Sequence, residues 1–374
     1  MKYYIIAGEA SGDLHGSNLI RAMKAKDPTA EFRCWGGDLM SEAGATIVKH
    51  YRELAFMGFI EVITNLRTIL KNLEYCKRDI LEYAPDAVIF IDYPGFNLRM
   101  AGFVKQAGIK TIYYISPQIW AWKESRIHTI KKSVDHMLVI LPFEQQFYKK
   151  WGMDVDFVGH PLLDAIGQHP WSDHHWRKRH HIPEDKPIIA LLPGSRKQEI
   201  NTMLPIMLEA AKRFTGYHFV IAMAPSQSES LYKDLLKEPD SVSLLSGETY
   251  PILSQARAAM VTSGTATLET ALFGVPEVVC YKGNTMSYWI ARQLVKIKYI
   301  SLVNLIMDRE VVCELIQDEM QPERLFEEMK KVIEEGESRT TMLQQFQKLK
   351  ELLGGAGASE NAASLIINYM HKGT

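Results

Sequence analysis

The hydrophobic positions of the chain follow two alternating patterns. Short apolar runs, typical of buried parallel strands, are separated by stretches in which apolar residues recur on one face of a helix. The first series of strands is predicted at 2–7, 31–35, 86–92, 110–115, 135–141 and 155–158, and a second series at 187–192, 217–223, 241–245, 258–262 and 276–281. This alternation predicts an α/β protein with two Rossmann-like domains in tandem.

The two series of strands set the predicted domain boundaries. The first domain is expected to span 1–166 and the second 187–353, joined by a polar, basic and histidine-rich linker region at 167–186. The linker histidines lack acidic or cysteine partners at ligand spacing, so we expect a solvated helix surface there.

The sequence Asp154-Val155-Asp156 resembles an Asp-x-Asp metal-binding motif but lies at the start of a predicted strand. We therefore predict no metal site.

The end of the chain has a purely helical pattern. It begins at Pro322 and is broken at the glycine-rich stretch that starts at Gly354. The segment 354–374 is therefore predicted as a separate C-terminal element, with a last helix at about 360–371 that Ser359 can cap.

Composition narrows the class of protein. The chain has 374 residues, of which 47% are hydrophobic and 23% charged, enough for two well-buried domains. A net charge of −1 gives no reason to expect nucleic acid as a partner. No apolar run reaches the length of a transmembrane helix, and the first apolar run is too short for a signal peptide. The cysteines form no paired motif and fit a reducing compartment, so we expect a cytoplasmic protein: Cys34, Cys76, Cys280 and Cys313.

One predicted strand, 188–192, leads into a turn that suits an anion. Pro193 and Gly194 end the strand, and Ser195 is expected to cap the next helix with Gln198 completing a capping box. Free backbone N–H groups at this helix start, together with the guanidinium of Arg196, could bind a phosphate or diphosphate. The alternative is an ordinary turn with a surface arginine.

A second turn of the same kind follows the strand at 258–262. Ser263, Gly264 and Thr265 open the next helix without bulky side chains, so a ligand could approach the backbone. Glu269 lies about one helical turn further on, where its carboxylate could accept hydrogen bonds from ribose hydroxyls. Two such helix starts in one βα series suggest a nucleoside diphosphate.

The first strand also ends in a glycine-spaced turn. Gly8 and Gly12 allow a close backbone approach, with Ser11 and His15 near a ligand. The dinucleotide and P-loop motifs are absent, which argues against NAD or ATP. The alternative is that Asp13 merely caps a helix.

Two further strand ends carry candidate chemistry. Asp92 closes an apolar run, at the edge where open α/β sheets bind ligands, and is a candidate general base. The alternative for Asp92 is that it caps a turn before Pro94.

Trp120 and Trp122 follow the strand predicted at 110–115 and could line a sugar or acyl pocket. Packing against the sheet is the commoner role of such residues and the one that we favour from the residues alone.

The stretch 56–73 has an amphipathic helical pattern. Its apolar stripe is wider than core packing needs, and basic residues such as Arg67 and Lys71 lie nearby. The residues alone favour core packing, with a membrane surface as the alternative. The stripe includes Ile60, Val62, Ile63, Leu66, Ile69 and Leu70.

Seven short blocks, spread over nearly the whole chain and specific as an ordered set, resemble lipid-A-disaccharide synthases. They are Gly8-Glu9-Ala10-Ser11-Gly12-Asp13, Met57-Gly58 with Glu61-Val62, Ile91-Asp92 with Pro94, Ser116-Pro117 with Trp120-Ala121-Trp122, Leu192-Pro193-Gly194-Ser195-Arg196, Ser263-Gly264-Thr265-Ala266 with Leu268-Glu269, and Ser301-Leu302 with Asn304-Leu305.

The resemblance implies a function and a location. Such an enzyme is an inverting glycosyltransferase of GT-B architecture, with a cleft between its two domains, and needs no cofactor. It joins UDP-2,3-diacylglucosamine to 2,3-diacylglucosamine 1-phosphate, forming a β-1,6 disaccharide and UDP. It is expected at the cytoplasmic side of the inner membrane of Gram-negative bacteria, which now favours the membrane reading of the 56–73 stripe.

The resemblance also implies roles for single residues. Asp92 matches the base, Arg196 the diphosphate contact, and Glu269 and Asn304 residues on the nucleotide or active-site side. Gly95 replaces a second aspartate of many relatives, so Asp92 stands alone. The family also exchanges C-terminal helices in a dimer, so 354–374 is expected to return to an N-terminal domain, its own or a partner's. A UDP-sugar epimerase of the same architecture and a non-enzymatic lipid-binding protein remain alternatives.

Overall fold

The computed structural model describes residues 1–54, 66–167, 171, 175–236, 242–283 and 298–372. They form two compact units, one made of Met1–Ala165 with Leu353–Thr374 and the other of Ile166–Leu352. Each unit is built on a parallel sheet with helices on both faces, which confirms the predicted α/β class with two Rossmann-like domains.

The first sheet has the strand order β3-β2-β1-β4-β5-β6-β7, and all of its pairs are parallel. The strands are β1 (Lys2–Ala7), β2 (Glu31–Gly36), β3 (Thr46–His50), β4 (Ala87–Ile91), β5 (Lys110–Tyr114), β6 (His136–Val139) and β7 (Asp156–Phe157). The helices of this unit are α1 (Ala10–Lys26), α2 (Asp38–Glu42), α3 (Leu66–Tyr83), α4 (Pro94–Gln106), α5 (Ile119–Trp122), α6 (Ile127–Ser133), α7 (Pro142–Lys150), α8 (Pro161–Gly167) and, from the end of the chain, α17 (Ala358–His371).

Both faces of this sheet are buried. Tyr3 and Ile5 of β1 pack into one core together with α1 and α17, whereas Tyr4 and Ile6 pack into the other together with α3 and α4. Successive side chains of a strand point to opposite faces, so a strand covered on both sides must be apolar throughout. This is why the strands could be recognised as continuous apolar runs.

The second sheet has the order β10-β9-β8-β11-β12-β13, again parallel. Its strands are β8 (Ile188–Leu192), β9 (His218–Met223), β10 (Val242–Ser246), β11 (Ala256–Thr262), β12 (Glu277–Tyr281) and β13 (Cys313–Ile316). Its helices are α9 (Trp176–Arg179), α10 (Lys197–Ala211), α11 (Glu229–Lys233), α12 (Thr249–Gln255), α13 (Thr265–Leu272), α14 (Leu302–Met307), α15 (Pro322–Ile333) and α16 (Glu337–Leu352).

Two edge strands, β3 and β13, were not predicted. Their residues are mostly half-buried, so neither strand forms the continuous apolar run by which the inner strands were recognised. At the other end of the first sheet, β7 is only Asp156–Phe157, shorter than the predicted 155–158.

The region 167–186 was expected to be a separate linker, but it is part of the second unit. Its described residues belong to the second unit, where Trp176 is buried in the core and its indole donates to Glu248 Oε2 at 3.0 Å. Arg177 donates to the carbonyl oxygens of Pro183 at 3.1 Å and Lys186 at 2.9 Å. A tryptophan and an arginine therefore tie a polar segment to the domain.

The last helix, α17, packs on α1 within the first unit of its own chain. The prediction that Ser359 caps this helix was wrong. Asp164 does so instead, because its carboxylate accepts hydrogen bonds from Gly357 N at 2.6 Å and Ser359 N at 2.8 Å. The cap is 193 residues away in sequence, so local patterns could not reveal it.

Glu277 gives a prediction about stability. Its carboxyl is completely buried at the start of β12, without a hydrogen-bond partner among the described residues, and burial raises its pKa well above the usual range. The folded form therefore keeps a proton that the unfolded chain releases above about pH 4. Stability from this group is present at low pH and lost as the pH rises. We expect Glu277→Gln to increase the free energy of unfolding by at least about 1 kcal/mol at pH 8 and little at pH 4, measured by urea denaturation.

The exposed Glu351→Gln variant is the matched control for Glu277. Equal effects of the two substitutions, or a gain for Glu277→Gln that does not depend on pH, would contradict this account.

Candidate functional site

The fold brings the predicted loops together in pairs. In each sheet the strand order reverses once, between β1 and β4 in the first and between β8 and β11 in the second. Ligands of open α/β sheets bind at the carboxyl ends of the strands at such a point. Gly8 follows β1 and Asp92 follows β4, whereas Gly194 follows β8 and Ser263 follows β11. Each unit therefore has a candidate site where sequence analysis expected one.

The backbone at Asp92 is strained. Asp92 and Tyr93 both have positive φ angles, +41° and +48°, which cost non-glycine residues about 1 kcal/mol or more each. The surrounding structure holds them there, since Asn97 Nδ2 donates to the carbonyl oxygen of Asp92 at 2.8 Å and the Tyr113 hydroxyl donates to the same oxygen at 2.6 Å. These contacts fix the direction in which the Asp92 side chain leaves the sheet.

The electrostatics at Asp92 suit a general base. Burial, and then the negative charge of Glu9, raise the pKa of the Asp92 carboxyl to about 7, against a smaller opposing effect of the backbone N–H of Tyr93. A base works best when its pKa lies near the working pH. Glu9, which sequence analysis did not single out, is exposed at the end of β1. Gly95 is also exposed.

The glycines after β1 serve packing. A Cβ atom at Gly8 would lie 2.5 Å from the ring of Tyr93, and one at Gly12 would lie 3.0 Å from the Cβ of Ala7. Gly8 therefore lets the loop lie against Tyr93 at the end of β4, and Gly12 lets the start of α1 lie close to the end of β1. Ser11, in the first turn of α1, is exposed and stays a candidate for ligand contact.

Asp13 lies in the first turn of α1 and caps the helix that follows the neighbouring strand β2, not its own. The Asp13 carboxylate accepts from Gly37 N at 2.7 Å and Met40 N at 3.1 Å, which caps α2. His15 is buried, and burial lowers its pKa to about 4, so it is a neutral interior side chain. The expected ligand contact of His15 is therefore not supported.

Trp120 is half-buried after β5. Its indole donates to Glu144 Oε1 at 3.2 Å, and its ring meets Phe143 edge to face with 4.9 Å between centroids. Packing, the favoured reading of the sequence, therefore accounts for one side of this tryptophan. The exposed part stays available to a substrate.

The loop after β8 is organised by an unexpected residue. The prediction that Ser195 and Gln198 form a capping box was wrong, because α10 begins at Lys197 and Glu199 Oε2 accepts from Ser195 N at 3.1 Å and Arg196 N at 3.2 Å. Two N–H groups that were expected to be free are thus satisfied by a carboxylate. A Cβ at Gly194 would lie 2.6 Å from that same oxygen, and the φ angle of Gly194 is +105°, so a glycine is needed there.

Arg196 itself is accessible. Its guanidinium pairs with Glu199 Oε1 at 3.5 Å while its side chain is 68% exposed, and such surface pairs contribute little stability. Gln227, in the loop after the neighbouring strand β9, donates to the carbonyl oxygen of Ser195 at 3.0 Å. Sequence analysis missed Gln227 because only the strand order places it beside this turn.

The loop after β11 is open to a ligand. Gly264 and Thr265 are exposed, and a Cβ at Gly264 would have no neighbour within 4 Å. The Ser263 hydroxyl is directed away from this opening, since it donates to the carbonyl oxygen of Ile300 at 2.9 Å. The backbone of this helix start, more than the Ser263 side chain, is thus the part that a ligand could approach.

Glu269 lies on α13, as expected, and has a partner that the sequence did not indicate. The Tyr250 hydroxyl donates to Glu269 Oε1 at 2.9 Å, and burial raises the pKa of the half-buried carboxyl. Tyr250 also packs edge to face on Trp171 at 5.2 Å. The Tyr250 hydrogen bond therefore restrains the orientation of the Glu269 carboxylate.

Asn304 differs from the prediction. It is completely buried, its Nδ2 donates to Val312 O and Glu314 Oε1, both at 2.8 Å, and its Oδ1 accepts from Val311 N at 2.7 Å. Glu314 Oε1 also accepts from Ser301 N at 2.9 Å. An amide so fully engaged positions the 300–314 segment and does not reach a ligand.

The predicted membrane stripe is only partly described. Ile60, Val62 and Ile63 lie outside the described residues, and so does the side chain of Leu66. The remaining two residues point to different sides of α3, since Ile69 packs against the core whereas Leu70 is 52% exposed.

Helix α3 also presents Leu81, 53% exposed, on its outer side. A buried contact fixes this orientation, because Asp79 Oδ2 accepts from the Tyr4 hydroxyl at 2.7 Å and from Arg33 Nε at 2.9 Å.

In the part of the chain that the structure describes, no helix is long and apolar enough to cross a membrane. Within those same residues, no group of three or more His, Cys, Asp or Glu side chains could hold a metal ion.

Comparison with known sequences gives one answer over the full length. Residues 3–367 match the family model described as lipid-A-disaccharide synthetase. A lipid-A-disaccharide synthase of Syntrophus aciditrophicus is 42% identical over 98% of this chain and 97% of its own length. One of Myxococcus xanthus is 38% identical over 99% of this chain and 97% of its own.

Comparison with solved structures supports the fold. A UDP-GlcNAc 2-epimerase of Neisseria meningitidis bound to UDP-GlcNAc has a TM-score of 0.70 at 13% identity, covering 98% of this chain and all of its own (100%). The glycotransferase of kitacinnamycin has a TM-score of 0.68 at 14% identity, with 99% of both chains covered. At such low identity these likenesses concern the architecture alone, so they do not favour the epimerase alternative.

The proximity of Glu9 and Asp92 gives a prediction. Because the negative charge of Glu9 is one cause of the raised pKa of Asp92, Glu9→Gln should lower that pKa from about 7. The measurement is a carbon NMR titration of protein labelled at aspartate side-chain carboxyls, with Asp92→Asn to assign the signal. An exposed glutamate far along the chain, Glu351→Gln, is the control, and an unchanged Asp92 titration in Glu9→Gln would contradict the assignment.

Proposed function

This chain belongs to the lipid-A-disaccharide synthase family, and on that premise we propose that it is an inverting transferase joining UDP-2,3-diacylglucosamine to 2,3-diacylglucosamine 1-phosphate. The products are the β-1,6-linked disaccharide 1-phosphate and UDP. The observation that carries the mechanism is Asp92, at the carboxyl end of β4 beside the strand-order reversal, with a pKa of about 7.

Asp92 acts on the acceptor in this proposal. The 6-hydroxyl of the acceptor attacks the anomeric carbon of the donor on the face opposite UDP, and the carbon–oxygen bond to the diphosphate breaks. The hydroxyl proton moves to the Asp92 carboxylate, because the free hydroxyl is too weak a nucleophile near neutral pH. One carboxylate suffices, since a diphosphate leaves without needing a proton, unlike the leaving group of a glycosidase.

The second unit binds the donor. The leaving diphosphate gains negative charge, which the guanidinium of Arg196 and the backbone N–H groups at the starts of α10 and α13 stabilise. Gly264 and Thr265 offer open backbone, and Glu269 is oriented for ribose hydroxyls. The Glu199 carboxylate occupies the N–H groups of Ser195 and Arg196 in the protein alone, so donor binding requires it to move aside. The proposal includes no cofactor.

The acceptor and the membrane belong to the first unit. Ser11 and the exposed part of Trp120 are the proposed sugar contacts, and the outer side of α3 is the proposed contact with the inner-membrane surface. Both substrates carry two acyl chains, which keeps them in a bilayer. We also propose that the enzyme works on the cytoplasmic side and forms a homodimer that exchanges C-terminal helices, for which the glycine-rich 354–357 stretch is a suitable hinge.

One assay tests the function as a whole. The purified protein is incubated with both substrates in detergent micelles, and UDP release and disaccharide formation are followed together. The proposal requires both products in equal amounts. UDP release without a disaccharide, or turnover of the UDP-sugar alone, would contradict it and would favour hydrolysis or epimerisation.

Asp92→Asn is expected to lower kcat by about 10²- to 10⁴-fold while UDP still binds, because the amide cannot accept the hydroxyl proton. In the unmodified protein, kcat/KM should rise with pH through about 7 as Asp92 loses its proton. Steady-state rates and calorimetric UDP binding are the measurements. Near-normal turnover in Asp92→Asn would exclude Asp92 as the base.

Arg196→Ala is the complementary variant and should weaken UDP binding about 10- to 100-fold, because the guanidinium no longer contacts the diphosphate.

The outer side of α3 gives a further prediction. Changing both Leu70 and Leu81 to Ser should reduce binding to anionic phospholipid vesicles by about tenfold, because their exposed apolar area no longer enters the bilayer. The thermal midpoint should stay nearly unchanged. Ile69→Ser, on the inner side of the same helix, should instead destabilise the protein. Unfolding of the Leu70/Leu81 variant would show that these residues belong to the core.

A further inference from the structure

The loop after β5 has little structure of its own to hold it in place. It contains a single helical turn, α5, and a short turn at Glu124–Arg126, and neither has a side-chain cap at its start. Ile115 begins the loop with a φ angle of +64°, which is unfavourable for a β-branched residue. A segment like this keeps one conformation only if neighbouring elements fix it.

Glu144 provides such a fixed point. It lies on α7, which follows the neighbouring strand β6, and it is 1% exposed. Its Oε2 accepts from Leu141 N at 3.0 Å and Ile140 N at 3.3 Å, which caps α7, while Oε1 accepts from the indole N–H of Trp120 at 3.2 Å. One carboxylate thus joins the segments that follow two adjacent strands.

Capping alone does not account for this glutamate. A capping residue needs one oxygen and normally stays in water, whereas burial of Glu144 raises its pKa to about 7. Its partners include three N–H donors and the Ser116 hydroxyl, and both of its oxygens accept hydrogen bonds. Helix capping does not require the contact to Trp120.

A second contact runs parallel to the first. The hydroxyls of Ser116 and Tyr148, both buried, are hydrogen-bonded at 2.7 Å and join the same loop to the same helix. On the other side, β5 ends next to β4, and Tyr113 of β5 donates to the carbonyl oxygen of Asp92. The loop is therefore held between α7 and the strand that carries the proposed base.

We propose that Glu144 is a positioning residue that fixes Trp120 and the 116–122 loop for binding of the acceptor sugar, an inference that rests on the proposed function of the first unit. Glu144 itself does not touch the substrate. It acts by holding the indole edge, so that the exposed part of the Trp120 ring keeps one orientation toward the acceptor.

The first test does not depend on activity. Hydrogen exchange of the backbone amides of 116–122 is compared among the unmodified protein, Glu144→Gln and Trp120→Phe, which removes the indole donor together with part of the ring. Both variants should accelerate exchange in this loop about tenfold, as expected for loss of one hydrogen bond to a charged group. Glu319→Gln is the matched control, because Glu319 makes the same kind of capping contact, to Ile316 N at 3.4 Å, in an exposed turn.

The second test measures kinetics. Glu144→Gln should raise the acceptor KM about tenfold with the donor KM unchanged. In the Trp120→Phe background, where the hydrogen bond is already absent, Glu144→Gln should have little further effect. Equal effects on donor and acceptor, or additive effects, would overturn the inference.

The outcomes separate this inference from the proposed function. No turnover by the unmodified protein contradicts the function, and the exchange experiment then still decides the role of Glu144. Unchanged exchange at 116–122 in both variants overturns that role. If Glu144→Gln accelerates exchange throughout the unit, it has unfolded, and Trp120→Phe alone decides.

Discussion

Two consecutive residues at the end of β4, Asp92 and Tyr93, are held in left-handed backbone conformations, and the first site depends on this. The strain persists because an amide and a phenol hold the carbonyl oxygen of Asp92, and because Gly8 leaves room for the Tyr93 ring. The same geometry half-buries the carboxyl next to a second negative charge, which brings its pKa to about 7. Backbone strain and a raised pKa thus occur at the same residue.

Carboxylates satisfy the N–H groups of helix starts in several places, either from another segment or from within the same helix. Asp13 caps α2, Asp164 caps α17, Glu199 occupies the turn before α10, and Glu144 joins a helix start to a tryptophan. A helix start has unpaired N–H donors and partial positive charge, so a carboxylate suits it. A phosphate suits it equally well. The turn at Ser195 therefore has the properties of an anion site even while its own carboxylate occupies it.

The site residues divide into those that local sequence could identify and those that it could not. Asp92, Arg196 and Glu269 were proposed from the sequence because each lies just after an apolar strand or one turn into the next helix. Asn304 shared the family pattern yet proved to be an interior residue, since its amide is consumed by the 311–314 backbone and Glu314. Glu9 and Glu144 were missed because only the pairing of strands shows which side chains they affect.

The sequence by itself determined the α/β class and the inner strands of both units, because a strand buried on both faces must be apolar throughout. It also determined where the candidate ligand loops lie, since parallel strands all end at one edge. Only the tertiary structure decided the edge strands, the packing of the polar segment around Trp176 in the second unit, and the distant partners of Asp13 and Asp164. Those features depend on contacts between residues far apart in sequence, such as Asp164 and Ser359, which no local pattern records.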